Sequence, residues 1–243
     1  SDAESRPFPH NDTAALETIL RSCRDKYAKV LIVAEGVYSM DGDIAPVPEL
    51  VRIKKEYGCF LMIDEAHSAC VLGRTGGGVD EYFGLAGDDI DMKMGTLSKG
   101  LGTCGGYLAG SRALIEYLRY NLPGFVFSVG ISPPLAAATL EAIRLLQEDP
   151  SIMENLHRNI RCFREEAKKR HFNTCLAGET AILPILVGRD EDAFAPSAVY
   201  PAVPRGKARL RFCVISEHKP EQIVTALDTL QEVAAELGIK LPE

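Results

Sequence analysis

Three short apolar runs spaced about thirty residues apart constrain this chain most. They are Lys29-Val30-Leu31-Ile32-Val33-Ala34, Cys59-Phe60-Leu61-Met62-Ile63 and the β-like stretch Ile90-Asp91-Met92-Lys93-Met94. A brief, nearly continuous apolar run suits a strand of a parallel sheet, which is covered on both faces. Helical patterns accompany the runs. Asp12 is placed to cap a helix whose apolar face carries Leu16, Ile19 and Leu20, and Pro46 and Pro48 start a second helix that runs through Tyr57 and closes at Gly58. Alternation of strand and helix predicts an α/β domain with a mainly parallel sheet. In such sheets ligands sit beyond the carboxyl ends of the strands. Ser39, Asp64, His67 and Lys99 all lie at or just past those ends.

Further along, Gly105–Gly110 reads as another strand and 111–121 as a helix. A long helix follows, with Pro133 and Pro134 in its first turn and an apolar pattern through Leu146, broken by Asp149-Pro150. Residues 151–171 form a charged amphipathic helix, Ala181–Val187 and Ala208–Val214 read as strands, and Pro220 opens a last helix to about Gly238. The pattern predicts a large α/β portion over 1–149 and a smaller α+β domain over 150–243.

Composition narrows the function classes. Hydrophobic residues at 46% and charged residues at 25% provide for a buried core. A net charge of −7, with no long basic run, argues against a nucleic-acid surface. Seven cysteines without a C-x-x-C pair indicate neither a disulfide framework nor a zinc site, which fits a reducing cytoplasm. No metal is expected. The sequence shows neither an apolar run of membrane-spanning length nor a signal-peptide pattern.

Two motifs carry chemistry. Met94-Gly95-Thr96-Leu97-Ser98-Lys99-Gly100-Leu101-Gly102 sets one amine between hydroxyls and glycines, where a lysine can serve as a Schiff-base amine or as a solvated turn residue. Asp64-Glu65-Ala66-His67 also marks a helicase motif, but an ATPase needs a phosphate loop and no G-x-x-x-x-G-K-[ST] occurs in the chain. A purely structural alternative makes Asp64 a strand-end cap and His67 a satisfied loop residue. Pyridoxal phosphate, in contrast, requires an amine, a carboxylate to keep its pyridine nitrogen protonated, and donors for a phosphate. Lys99, Asp64 and the neighbouring hydroxyls supply these types.

Glu35-Gly36-Val37-Tyr38-Ser39-Met40-Asp41-Gly42-Asp43, Asp64-Glu65-Ala66-His67, Gly95-Thr96-Leu97-Ser98-Lys99, Gly105-Gly106-Tyr107 and Pro204-Arg205-Gly206-Lys207-Ala208-Arg209-Leu210-Arg211 together resemble the α-oxoamine synthases. These are fold-type I pyridoxal-phosphate enzymes that include serine palmitoyltransferase, 8-amino-7-oxononanoate synthase and 2-amino-3-ketobutyrate CoA ligase. The resemblance implies a homodimeric acyltransferase that condenses glycine, alanine or serine with an acyl thioester, carried by coenzyme A or a carrier protein, and releases carbon dioxide and an α-amino ketone. It implies that Lys99 is the lysine bonded to the cofactor, that Asp64 partners the pyridine nitrogen, and that His67 and Ser39 neighbour the ring oxygen. Thr96 would bind the phosphate, Ser128 would reach it from the neighbouring subunit, and Arg211 would grip the amino-acid carboxylate. Arg209 is the alternative grip, one strand alternation away.

Two departures accompany the resemblance. It enters in the middle of the family's large domain, and residues 1–34 offer neither the Gly-containing phosphate turn nor the ring-stacking aromatic or histidine of the family's amino-terminal part. Ala193–Ala198 joins segments that the family separates by a helix and a loop. The alternatives are an aminotransferase or other fold-type I enzyme, and a non-catalytic partner subunit.

Overall fold

A computed structural model describes residues 3–193 and 197–242. The Phe194–Pro196 part of the expected junction therefore lies outside the described residues. Strands β1 (Leu31–Glu35), β2 (Phe60–Asp64) and β3 (Met92–Thr96) are parallel, and β4 (Gly106–Gly110) closes the sheet antiparallel to β3, in the order β1-β2-β3-β4. Helices α1 (Thr13–Cys23) and α2 (Val47–Tyr57) form as their caps predict. Asp12 accepts from the Ala15 N–H at 2.8 Å, and Gly58 ends α2 in the left-handed region at φ 59°. A short helix, α3 (Val79–Phe83), falls in the glycine-rich stretch that the apolar pattern leaves unassigned, because five residues are too few to show a helical period.

The core of this sheet gathers Leu16 and Leu20 from α1, Leu50 and Ile53 from α2, and Ile32, Leu61 and Ile63 from the strands. Each such side chain contributes about 1.5–3 kcal/mol by leaving water. One expectation changes. The strands alternate instead of being buried on both faces: Ile32 and Ala34 point into the core, whereas Leu31 and Val33 are 49% and 53% exposed, and Phe60 is exposed as well. Helices α1 and α2 cover one face, and among the described residues nothing covers the other to the same degree.

Helices α4 (Arg112–Asn121), α5 (Pro123–Val126) and α6 (Pro133–Glu148) continue the chain with Thr139 as their only buried residue. Then α7 (Ser151–Lys169) leads into a second, antiparallel sheet of order β5-β7-β6, made of β5 (Ile182–Gly188), β6 (Ser197–Ala198) and β7 (Ala208–Cys213), followed by α8 (Pro220–Glu236). Met153, Ile160 and Phe163 of α7 pack with Leu183 and Ile185 of β5 and with Ile223 and Leu227 of α8 in a second core cluster. No helix among the described residues is long and apolar enough to cross a membrane.

The two sheets meet through the loop after β1. Gly42 has φ 72°, and a Cβ there would collide with the Ile182 carbonyl oxygen at the start of β5. Its own carbonyl accepts the Gly178 N–H at 3.1 Å and the buried Thr180 hydroxyl at 2.7 Å. Only glycine permits both this backbone conformation and this approach.

Candidate active site

In-register pairing of parallel strands sets Glu35 of β1 beside Asp64 of β2, and Asp64 beside Met94 of β3, so the carboxyl ends form one edge. Asp64 Oδ1 accepts the Ala66 N–H at 2.8 Å, and no ion pair among the described residues engages the carboxylate. The turn after β2 is fixed from beneath. Buried Glu65 accepts the Ser68 hydroxyl at 2.6 Å and the Val79 N–H at 3.3 Å, and burial pushes its carboxyl above the usual range. This turn carries His67 toward the loop after β3.

There His67 Nε2 and Lys99 Nζ lie 2.8 Å apart. Burial, then the neighbouring positive charges of Lys99 and Arg211, lower the His67 pKa to about 4, so the imidazole is neutral near pH 7. A neutral ring nitrogen can accept from the ammonium or take part in proton exchange with it. Lys99 itself is exposed at the mouth of the site. Thr96 Oγ1 and Ser98 Oγ are 2.8 Å apart, and Thr96 also donates to the Gly105 carbonyl at 3.2 Å. Gly95 is glycine for a local reason: it pairs with Tyr107 across β3 and β4, and a Cβ would run into the Tyr107 ring.

Arg211 and Arg209 separate clearly. Arg209 is 5% exposed, ion-paired with Asp41 and hydrogen-bonded to the Met40 and Lys207 carbonyls. Arg211 donates Nε to the Ser39 carbonyl at 2.6 Å and has no acidic partner among the described residues. Two residues apart, the two side chains share one face of β7 and both meet the loop after β1: Arg209 ties the Ser39–Asp43 loop to the second sheet, whereas Arg211 lies close enough to His67 to act on its charge.

The structure thus brings Ser39, Asp64, His67, Lys99 and Arg211 around one strand edge, with Thr96 on the adjacent strand end. It does not bring Ser128 into this cluster. Ser128 is exposed, and its Oγ accepts the Gly130 N–H of its own loop at 3.1 Å. Glu35, inside the first motif, is a further polar group at this edge, and the strand-end rule that singles out Asp64 applies equally to it. The donor set fits pyridoxal phosphate on the face present here: an amine, an unpaired carboxylate at a strand end, and paired hydroxyls beside a turn.

A family model described as aminotransferase class I and II matches residues 1–230. The 8-amino-7-oxononanoate synthase of Fervidobacterium nodosum is 40% identical over 253 residues, covering 98% of this chain and 64% of that protein. The 8-amino-7-oxononanoate synthase 1 of Bacillus velezensis is 40% identical over 249 residues, covering 98% and 63%. Among solved structures, Sphingomonas wittichii serine palmitoyltransferase superposes with a TM-score of 0.90 at 30% identity, over 98% of this chain and 63% of that one. A high-resolution serine palmitoyltransferase structure with its pyridoxal-phosphate internal aldimine gives 0.87 at 32% identity, over 95% and 61%. The chain spans somewhat under two thirds of the length of each of these relatives. By its matched residues and its fold, the chain belongs to the aminotransferase class I and II family of fold-type I proteins, with α-oxoamine synthases as its relatives.

Proposed function

We propose that this chain carries the catalytic edge of a pyridoxal-phosphate-dependent α-oxoamine synthase. The reaction joins a small amino acid (glycine, alanine or serine) to the acyl group of a thioester and releases carbon dioxide, free thiol and an α-amino ketone. The observation that carries the reading is the 2.8 Å contact between Lys99 and His67, three residues past Asp64. Among the names of relatives, serine palmitoyltransferase names one of these amino acids, serine, which is to be tried beside alanine and glycine.

Lys99 would hold the cofactor's aldehyde carbon, Asp64 its ring nitrogen, His67 and Ser39 its phenolic oxygen, and Thr96 its phosphate, with Ser128 supplied from a second subunit. When bound, the cofactor withdraws electrons from the amino acid's α-carbon. Arg211 orients the substrate by its carboxylate through a two-pronged guanidinium contact. Lys99 Nζ, set free when the substrate's amine takes its place, takes the α-proton, and neutral His67 accepts a hydrogen bond from the resulting ammonium. With the proton gone, the α-carbon attacks the thioester carbonyl and the thiolate leaves, taking up a proton; the carboxylate then departs as carbon dioxide, and the electron pair left on the α-carbon takes a proton, which the Lys99 ammonium can return, to give the amino ketone.

The partners are an amino acid, an acyl thioester on coenzyme A or a carrier protein, and a second copy of the chain. Supporting the last is the exposed apolar surface of the 106–148 segment, including Tyr120, Phe125, Phe127, Val129 and Leu140. A functional division near residue 150 is supported by the separate sheets and core clusters, and a cytoplasmic location by the free thiols.

Borohydride reduction of the cofactor-loaded protein should fix the cofactor on the peptide containing Lys99, and Lys99→Ala should abolish both this adduct and the visible absorption band. An adduct on another lysine would sink the assignment. Release of thiol and carbon dioxide from L-alanine plus acyl thioester supports the synthase. Nitrogen transfer to a keto acid without thiol release would make the protein an aminotransferase, and the absence of both reactions would support a partner subunit.

A further inference from the structure

We propose that Glu35 is a positioning residue that sets the substrate grip of Arg211 through the backbone of Ser39. This inference rests on the reading of Arg211 as the group that holds the amino-acid carboxylate.

The Glu35 carboxylate accepts the Ser39 N–H at 3.2 Å, four residues on. The Ser39 carbonyl, on the other side of the same residue, accepts Arg211 Nε at 2.6 Å. One residue of the loop therefore transmits position from the end of β1 to a guanidinium on β7, in the other sheet. The loop is already narrow: Tyr38 donates to the Asp43 carbonyl at 2.9 Å and Gly42 to the Tyr38 carbonyl at 2.8 Å. Within that turn, the Glu35 bond fixes the tilt of the Ser39 residue, and the tilt decides where its carbonyl aims.

Engaging Nε has a geometric result. A guanidinium whose Nε is occupied offers the edge between its two terminal nitrogens, and this edge matches a carboxylate bidentately. A few tenths of an ångström or some degrees of rotation at Ser39 would be felt by both parallel bonds at once. Glu35 is half-buried beside Asp64, and burial foremost raises its carboxyl pKa, with Asp64 adding to the effect and the Ser39 N–H and Lys99 opposing it. A carboxyl group held in so unfavourable a place for charge calls for a structural return, and the bond to Ser39 is the contact it makes.

The test uses cofactor-loaded protein and measures binding of propionate, a carboxylate without the amine, by calorimetry, together with KM and kcat for L-alanine. Glu35→Ala removes the acceptor and should weaken propionate binding and raise the L-alanine KM roughly five- to tenfold, the worth of about one hydrogen bond. The visible band, kcat and the thioester KM should stay within about twofold of wild type, a change smaller than one such bond. Glu35→Gln keeps a carbonyl oxygen for the Ser39 N–H and should restore near-normal values. Glu35→Asp keeps the charge but falls short by a methylene, so it should resemble Glu35→Ala and serves if the alanine variant does not fold. In an Arg211→Ala background, Glu35→Ala should add nothing.

If Glu35→Gln is as impaired as Glu35→Ala, or if Glu35→Ala still costs fivefold without Arg211, the inference is overturned. If Arg211→Ala weakens propionate binding while Glu35→Ala does not, the inference alone fails. If Arg211→Ala leaves propionate binding intact, the reading of the site fails and takes the inference with it.

Discussion

Burial of His67, with the positive charges of Lys99 and Arg211 beside it, makes the site sensitive to pH in a definite direction. The His67 pKa moves from 6.5 to about 4 on folding, so between these values the native protein binds fewer protons than the unfolded chain. The contribution of this group to stability is full above pH 6.5 and is lost as pH falls toward 4. Thermal denaturation of the wild type should therefore show a falling melting temperature across that window, and His67→Asn should flatten the part due to this residue. A slope of equal size in both proteins would show that other groups carry it. The two arginines of β7 yield a second residue-level contrast. Arg209→Ala leaves the Asp41 carboxylate without its partner in a half-buried place and should cost on the order of 3 kcal/mol in chemical denaturation. Arg211→Ala breaks no ion pair, so it should leave the denaturation midpoint nearly in place while raising the amino-acid KM. The spacing of the two arginines places both on one face of β7, toward the loop after β1. It could not show which of them finds an acidic partner, because that depends on which residues of a distant loop each one meets along the strand.

At the scale of elements, the loop after β1 does more than its turn composition suggests. Its glycine brings the backbone into contact with β5, its aspartate pairs with Arg209, and its serine holds Arg211. Gly42→Ala should destabilise the protein by about 1–3 kcal/mol, through strain at positive φ and displacement of Ile182. It should also raise the amino-acid KM, because Ser39 shifts with the loop. A Gly42→Ala protein with wild-type stability would mean that the loop relaxes freely and does not couple the sheets. By comparison, Asp12→Ala removes one helix cap far from the site and should cost about 1 kcal/mol without changing KM. Helices with explicit punctuation were legible in the sequence, since Asp12, Gly58, Pro133 and Pro220 act within one turn of themselves. The short α3 was not, and neither was the contact of Gly42 with Ile182, which joins residues 140 positions apart.

For the whole molecule, the informative surface is the apolar one. Leu31, Val33 and Phe60 emerge on one face of the first sheet, and α4 to α6 leave Tyr120, Phe127 and Val129 in solvent. A pairing of two copies through the latter segment should appear as a dimer in sedimentation equilibrium. Phe127→Asp with Leu140→Asp should shift the population toward monomer and reduce activity, if Ser128 of the neighbour completes the phosphate site. A dimer unaffected by both changes would place the interface elsewhere. The expectation of strands buried on both faces came from apolar runs in which both alternating sets are hydrophobic. Such a run records that both faces prefer to leave water, and it does not record what covers them.

The sequence by itself determined the alternation of strand and helix, the caps that bound several helices, and the set of chemical groups at the strand ends around Lys99, because each depends on neighbours along the chain. Tertiary structure alone decided that Arg209 pairs with Asp41 while Arg211 meets the Ser39 carbonyl, that Ser128 stands apart from the cluster, and that Glu35 reaches Arg211 through Ser39. Those outcomes depend on the register between strands and on one close approach between two sheets, which are set by packing over long sequence separations and leave no local trace in the residues that take part.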